Sequence, residues 1–168
     1  ILLAENNTGY KNLVQLVSKA NIEGMYYKPR IDKELLRQYH EGIICLSACV
    51  AGEIPAWILR GNMERAEKSL KEYLEIFGRD NFFIEIQNQG MPEETKANKG
   101  LIELAEKYNI GLVATNDAHY LTREDSEFHD ILLCIQMGKT VDDPGRMRFY
   151  GEGFYLKSPA EMAELFPE

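Results

Sequence analysis

The sequence predicts an α/β protein whose strands form either an open sheet or part of a barrel. Short apolar runs alternate along the chain with longer segments whose apolar residues recur at helical spacing. Most of the predicted strands are apolar throughout, which is typical of parallel strands covered on both faces. The chain has 168 residues, and that length suffices for one domain with a sizeable core.

Five short runs, bounded by polar, small or turn-forming residues, are predicted to be strands. They lie at residues 1–4, 43–46, 81–87, 111–115 and 153–156. In the third run the polar Glu85 and Gln87 alternate with the apolar Ile84 and Ile86, as they would on the two faces of a strand. The fifth run is only strand-like and leads into the last predicted helix.

Seven segments are predicted to be helices from their apolar spacing, their capping residues or both. They lie between residues 8 and 24, at 33–39, 52–59, 63–77, 93–108 and 122–137, and from 158 onward. The predicted N-caps are Thr8, Asp32, Thr122 and Ser158. Residues 26–31, which include Pro29, are predicted to form an irregular loop between the first two helices.

The formal net charge is −8, so the protein as a whole does not attract a phosphate backbone. Residues 1–40 are an exception, with six basic and four acidic residues. Within them Lys28 and Arg30 lie close to Tyr26 and Tyr27, which makes the two cations candidate contacts for nucleic acid. Ordinary solvated surface charges are the simpler interpretation of the same residues.

Three cysteines, Cys45, Cys49 and Cys134, lack the spacing of a disulfide framework, which favours a reducing, cytoplasmic setting. Cys45 and Cys134 have apolar neighbours and are expected in the core. No apolar run approaches the roughly 20 residues that cross a bilayer, so no membrane association is expected. The sequence begins with Ile1 rather than Met, and we expect it to be a fragment of a longer protein.

Candidate functional residues follow two predicted strands, where parallel α/β proteins place their functional loops. After residues 111–115 come Asn116, Asp117 and His119, and side chains two residues apart in an extended segment point to the same side. A carboxylate and an imidazole there suit Zn or Mn, and Asn116 could orient the carboxylate. The alternative is a plain turn that caps the next helix, with His119 incidental.

The loop after residues 43–46 contains Cys49, which could supply a thiolate, and Glu53, which could supply a carboxylate. A lone cysteine is more often a small buried apolar residue, so this assignment stays open. His129 lies ten residues after His119 and could orient a metal site or carry protons. A partly buried structural histidine is the alternative for His129.

Several stretches of the chain, taken in order, resemble the PHP (polymerase and histidinol phosphatase) domain of bacterial DNA polymerase III alpha subunits. The stretches are Leu2-Leu3-Ala4 with Thr8-Gly9-Tyr10-Lys11-Asn12-Leu13, Tyr27-Lys28-Pro29-Arg30-Ile31-Asp32, Leu46-Ser47-Ala48-Cys49, Ala114-Thr115-Asn116-Asp117-Ala118-His119-Tyr120 and Phe154-Tyr155-Leu156-Lys157-Ser158-Pro159. The likeness extends over essentially the whole chain, and its specificity comes from the motifs jointly.

The resemblance implies a distorted (β/α)7 TIM-like barrel with up to three metal ions, Zn or Mn, at the carboxyl ends of its strands. It makes Cys49, Asp117 and His119 metal ligands, and we expect Asp117 and His119 to be catalytic. Glu53, Asn116 and His129 are expected to lie around these ligands. The family's other ligands, including an amino-terminal His-x-His, have no counterpart in residues 1–168, which are expected to correspond to the later two-thirds of the domain.

Two functions follow from the resemblance. In the first, the intact domain is a metal-dependent 3′–5′ exonuclease that proofreads DNA within a replicative polymerase, whose own body uses Mg. In the second, it is a non-catalytic scaffold that stabilises the polymerase and docks a separate proofreading subunit. The implied partners are DNA and other replicative subunits, including the sliding clamp through the parent chain. A free-standing phosphatase is disfavoured, since residues 142–159 resemble the polymerase's own continuation.

Overall fold

A mixed four-stranded sheet lies at the centre of the fold in the computed structural model, which describes residues 1–149 and 151–167. The strands of this sheet and of a separate hairpin are β1 (Leu2–Ala4), β2 (Met25–Tyr26), β3 (Lys28–Pro29), β4 (Ile43–Leu46), β5 (Phe82–Gln87) and β6 (Leu112–Thr115). The strand order in the sheet is β1-β4-β5-β6. Strands β4, β5 and β6 are parallel, whereas β1 is antiparallel to β4. The predicted α/β class is confirmed.

The expectation of parallel strands is wrong for β1. This strand lies at the edge of the sheet, and Leu3 is 48% exposed. Antiparallel strands, unlike parallel ones, commonly leave one face in contact with solvent, and the exposure of β1 agrees with that pattern. The predicted barrel is not seen in the part of the chain that the structure describes, where the four strands form an open sheet.

Seven α-helices and one short 3₁₀ turn are found among the described residues. They are α1 (Asn7–Ile22), α2 (Lys33–Gln38), α3 (Glu53–Leu59), α4 (Met63–Phe77), α5 (Pro92–Tyr108), α6 (Ser126–Met137) and α7 (Pro159–Leu165), with the 3₁₀ turn at Arg123–Asp125. Helices α3, α4 and α5 contact one another, and α4 and α5 contact the sheet. Helix α4 buries Ala66, Leu70 and Phe77 at helical spacing, and burying one such leucine contributes roughly 2 kcal/mol.

Two of the four predicted caps, Asp32 and Ser158, begin the predicted helices, whereas α6 begins after Asp125 rather than Thr122. Asp32 accepts a hydrogen bond from the Leu35 N–H, and Ser158 forms a capping box with Glu161. Thr122 caps the 3₁₀ turn that leads into α6. The prediction of Thr8 as the first cap is wrong, because Asn6 accepts hydrogen bonds from the backbone of residues 8 and 9 and leaves Thr8 inside the first turn.

Two other segments differ from the prediction. Residues 26–31 are not wholly irregular, because β2 and β3 form a small antiparallel hairpin there. The strand predicted at 153–156 is reduced to one parallel bridge between Tyr120 and Tyr155. That bridge nonetheless holds residues 153–157 beside the loop that follows β6.

The cysteines agree with a further expectation. Cys45 and Cys134 are buried, as predicted, and all three cysteines are free thiols. Burial raises the pKa of the Cys45 thiol to about 11, which disfavours the thiolate form at neutral pH. Among the described residues, no helix combines the length and the apolar character needed to cross a membrane.

Candidate functional site

The loop that follows β6 brings a carboxylate and an imidazole together. Asp117 Oδ1 lies 3.5 Å from His119 Nε2, and both side chains are partly exposed. The sequence predicted that an extended segment would bring the two side chains together. The segment is not extended, however, because Asp117 has a φ of 49°. That value lies in the left-handed region, which non-glycine residues rarely adopt and which often marks a functional loop.

The Asp117–His119 pair fits part of a metal site. A tetrahedral Zn centre with bonds of about 2.0–2.2 Å separates its donor atoms by roughly 3.3–3.6 Å, and the 3.5 Å between Asp117 Oδ1 and His119 Nε2 lies in that range. Among residues 1–149 and 151–167, no three His, Cys, Asp or Glu side chains are grouped so that they could hold a metal ion. The pair therefore offers two donors, and Cys49 does not join them as a third.

The backbone of this loop is held by the segment at 153–157. The His119 N–H donates to the Phe154 carbonyl at 2.7 Å. Asn116 donates from Nδ2 to the Tyr155 carbonyl at 2.7 Å and accepts from the Lys157 N–H at 3.1 Å. The side chain of Asn116 thus ties the two segments together, and it supports Asp117 through the backbone rather than by a hydrogen bond to its carboxylate.

Aromatic rings surround the imidazole of His119. Its centroid lies 4.6 Å from that of Phe149, 5.7 Å from that of Phe154 and 5.5 Å from that of His129. Burial, and then the neighbouring His119, lower the pKa of His129 below its ordinary value. The ring of His129 thus lies beside that of His119, and its predicted role as an orienting or proton-carrying residue stays a prediction.

Three polar side chains connect β5 and the residues after it to the same loop. Gln89 Nε2 donates to the Asn116 carbonyl at 2.7 Å. Thr115 Oγ1 donates to Glu85 Oε1 at 2.6 Å and accepts from Gln87 Nε2 at 3.0 Å. Sequence reasoning assigned these residues no role, although polar side chains that alternate within a buried strand are the signal that identifies them.

Cys49 lies in the loop after β4, in a different environment. The preceding Ala48 also has a left-handed backbone, with a φ of 66°. Cys49 is half-buried and lines a cavity of about 10 Å³ together with Glu85 and Glu94, which is room for about one water molecule. Glu85 Oε2 and Glu94 Oε1 are buried without a hydrogen-bond partner among the described residues. The cavity has a mixed lining of apolar and polar side chains, and among the described residues its carboxylates do not form a metal cluster with Cys49.

Glu53 forms hydrogen bonds that hold neighbouring helices together. Its carboxylate accepts hydrogen bonds from Lys33 at 2.8 Å, Ser69 at 2.7 Å and Tyr73 at 2.9 Å. Burial alone would raise the pKa of Glu53, but these hydrogen bonds outweigh burial and lower it. The side chain joins α3 to α2 and α4, and every one of these contacts lies away from the Asp117–His119 pair.

Lys28 and Arg30 lie in and just after the β2–β3 hairpin, which packs against α1. Both are exposed, and the Arg30 guanidinium lies 5.1 Å from the centre of the Tyr26 ring. Within the part of the chain that the structure describes, no side-chain hydrogen bond or ion pair joins Lys28 or Arg30 to the loops after β4 and β6. Their role as nucleic-acid contacts stays a prediction.

Comparison with known proteins places these features in a family. The family model described as "PHP domain" matches residues 1–89, which include the Cys49 loop and β5. Proteins named DNA polymerase III subunit alpha are similar over 99% of the chain, with 54% identity in Treponema pallidum, 53% in Thermus aquaticus and 45% in Deinococcus radiodurans. The chain covers 14%, 14% and 12% of these relatives, so it spans about one seventh of their length or less. The resemblance read from the motifs is confirmed, and the chain belongs to the PHP domain family.

Proposed function

We propose that this chain is part of the PHP domain of a bacterial replicative DNA polymerase and that the intact domain hydrolyses phosphodiester bonds as a metal-dependent 3′–5′ proofreading exonuclease. The observation that carries this proposal is the Asp117–His119 pair, whose donor atoms are 3.5 Å apart at the carboxyl end of β6. The relatives named DNA polymerase III subunit alpha support the polymerase assignment.

In this proposal Asp117 and His119 hold a divalent ion, Zn or Mn, as two of its ligands. A bound ion of this kind lowers the pKa of a coordinated water and neutralises phosphate charge. The rings of Phe149 and Phe154 keep the His119 imidazole in place. Cys49 is proposed as a further ligand, together with the family's amino-terminal His-x-His, which has no counterpart in residues 1–168.

The proposed setting is the bacterial cytoplasm, within a longer polymerase chain whose catalytic body uses Mg. The substrate is the 3′ end of DNA, and the partners are the other replicative subunits, including a proofreading subunit and the sliding clamp. Because the chain is acidic overall, with a net charge of −8, metal ions or local cations have to provide the attraction for a phosphate backbone.

A second candidate function is a scaffold that docks a separate proofreading subunit. Exposed apolar side chains on α6 favour it, because Phe128, Leu132 and Ile135 are 64%, 61% and 70% exposed and recur at helical spacing. A stripe of this kind is suited to contact with another protein surface. The two functions differ in whether the domain needs metal.

The test uses the parent polymerase chain with Asp117→Asn. Asparagine tolerates a left-handed backbone, so the loop keeps its shape while the anionic donor is lost. We expect metal-dependent hydrolysis of a 3′-mismatched primer to fall at least about 100-fold, since loss of a ligand exceeds the usual cost of losing a residue that only orients one. DNA synthesis should stay unchanged. The matched control is Asp80→Asn, which changes an exposed carboxylate in the turn before β5.

Elemental mass spectrometry of the same proteins separates the alternatives. Two or three Zn or Mn ions per wild-type chain, with fewer in Asp117→Asn, would support the nuclease. A wild-type chain that is metal-free after purification without chelator, and that lacks nuclease activity, would favour the scaffold. Hydrolysis that persists in Asp117→Asn but stops with a chelator would show that the site lies elsewhere.

A further inference from the structure

A pocket of about 260 Å³ lies next to the loop that carries Asp117 and His119. It is formed where the segment 153–157 meets the 3₁₀ turn, and its wall includes Arg123, Tyr155 and Lys157. The same segment is hydrogen-bonded to Asn116 at Tyr155 and Lys157. The pocket is thus linked to the loop of the candidate metal site through the side chain of Asn116.

Two cations converge on a single aromatic ring in this pocket. The Arg123 guanidinium carbon lies 4.8 Å from the centre of the Tyr155 ring, and Lys157 Nζ lies 4.7 Å from the same point. Arg123 also donates to the Tyr155 hydroxyl at 3.1 Å, and Lys157 donates to the Gly153 carbonyl. Tyr155 is 8% exposed, so the ring is a fixed platform for both charges.

Neither Arg123 nor Lys157 forms an ion pair with a carboxylate among the described residues. Glu161 is the nearest acidic group in their hydrogen-bond network, but its oxygens accept from Tyr155 at 2.7 Å and from Ser158 at 2.8 Å. Glu152 lines the pocket and Glu164 lines a neighbouring cavity that shares Arg123 and Lys157, but neither carboxylate forms an ion pair with these cations among the described residues. Arg123, which is exposed, and Lys157, which is partly buried, therefore form no direct ion pair, although Glu161 is linked to them through the Tyr155 hydroxyl.

Other partly buried cations of this acidic protein are neutralised directly. Lys33 pairs with Glu53 and Glu72, and Arg146 pairs with Asp130. At Lys157 the situation is reversed, because burial and then the nearby Arg123 lower the pKa of the ammonium group. An anion bound between the two cations would relieve that repulsion.

We propose that Arg123 and Lys157 form a binding site for a phosphate group of a single DNA strand, next to the candidate metal site. The inference rests on the proposed function and names a substrate contact for it. A guanidinium fork matches the oxygens of a phosphate, and the ammonium adds a point charge. The site supplies the local positive charge that a protein of net charge −8 needs to hold a DNA backbone.

The test measures the reactivity of the Lys157 amine in the parent polymerase chain. Lysines are acetylated for a short time with or without oligothymidylate in the presence of EDTA, and mass spectrometry gives the rate at each lysine. We expect oligothymidylate to slow acetylation of Lys157 at least fivefold, while Lys68, an exposed lysine on α4, reacts at an unchanged rate. EDTA removes metal, so the result does not depend on hydrolysis.

Arg123→Gln and Arg60→Gln provide a matched pair of variants. Each removes a guanidinium stacked on an aromatic ring, since Arg60 lies 4.9 Å from the centre of the Trp57 ring. Arg123→Gln should raise the oligothymidylate concentration needed for half-maximal protection about tenfold, as expected for one lost charged phosphate contact. Arg60→Gln should leave it unchanged.

Three results would overturn the inference. One is equal Lys157 reactivity with and without oligothymidylate in the wild-type chain, a comparison that does not require any variant to fold. Another is full protection in Arg123→Gln, and the third is protection by inorganic phosphate but not by oligothymidylate. Failure of the proposed nuclease is distinguishable, because it would appear as unchanged hydrolysis in Asp117→Asn while protection of Lys157 persisted.

Discussion

The loops after β4 and β6 start from equivalent positions in the sheet but present their candidate ligands differently. Both follow parallel strands, and both contain a non-glycine residue with a left-handed backbone, Ala48 in one and Asp117 in the other. The second loop forms a donor pair from residues two apart. The first presents only Cys49, and β5 lies between β4 and β6, which separates the strands by about 10 Å.

The two loops differ in whether their candidate metal ligands are brought together by local sequence or only by the complete fold. The Asp117–His119 pair is made by one loop and is present with four strands in place. Bringing Cys49 to the same ion requires the sheet to curve across three strands. A closed barrel imposes such curvature, and the described open sheet does not.

The largest effect is expected from closing the space inside the first loop. In Gly52→Ala, the new Cβ would lie well inside van der Waals contact of the Ser47 carbonyl oxygen and 3.0 Å from that of Cys49. Backbone atoms cannot move away as a flexible side chain can, so we expect a loss of about 3 kcal/mol in the free energy of unfolding. Urea denaturation of the parent chain, followed at Trp57, measures this loss.

Gly61→Ala is the control for that experiment. A Cβ at Gly61 meets nothing within 4 Å, and the cost there is only the strain of a φ of 74°, about 1 kcal/mol. Equal losses in the two variants would mean that the β4 loop is not held by the close approach at Gly52.

An intermediate effect is expected where the second loop is tied to the segment at 153–157. Asn116→Ala removes the hydrogen bonds to the Tyr155 carbonyl and from the Lys157 N–H, which should cost about 1–2 kcal/mol. Hydrogen exchange of the Lys157 amide should become at least tenfold faster. Asn12→Ala removes one exposed side-chain hydrogen bond to the Glu41 carbonyl and should leave that exchange rate unchanged. Slow exchange in Asn116→Ala would contradict the role given to this side chain.

The sequence predicted the class of fold, most helices and the donor pair, because these depend on nearby residues. Apolar spacing sets α4, and two positions in one loop set the Asp117–His119 pair. The antiparallel pairing of β1 was not predictable in this way, since Leu3 and Ile44 are brought together by chain topology. The hydrogen bond from Gln89 to the Asn116 carbonyl was not predictable either, because the two residues follow different strands and are brought together by the fold.

The smallest effect is expected from Ala48→Gly, which tests whether the first loop is strained as the second is. The left-handed backbone of Ala48, with a φ of 66°, costs an alanine roughly 1–2 kcal/mol, and glycine adopts it freely. Glycine also gains freedom in the unfolded chain, which offsets about 0.4–1 kcal/mol of this. We therefore expect Ala48→Gly to raise the free energy of unfolding by up to about 1 kcal/mol, whereas Ala56→Gly, within α3, should lower it by about 1 kcal/mol. If Ala48→Gly lowered the free energy of unfolding as much as Ala56→Gly does, the loop around Cys49 would be unstrained. A strained left-handed backbone would then be a feature of the Asp117 loop and not of both loops.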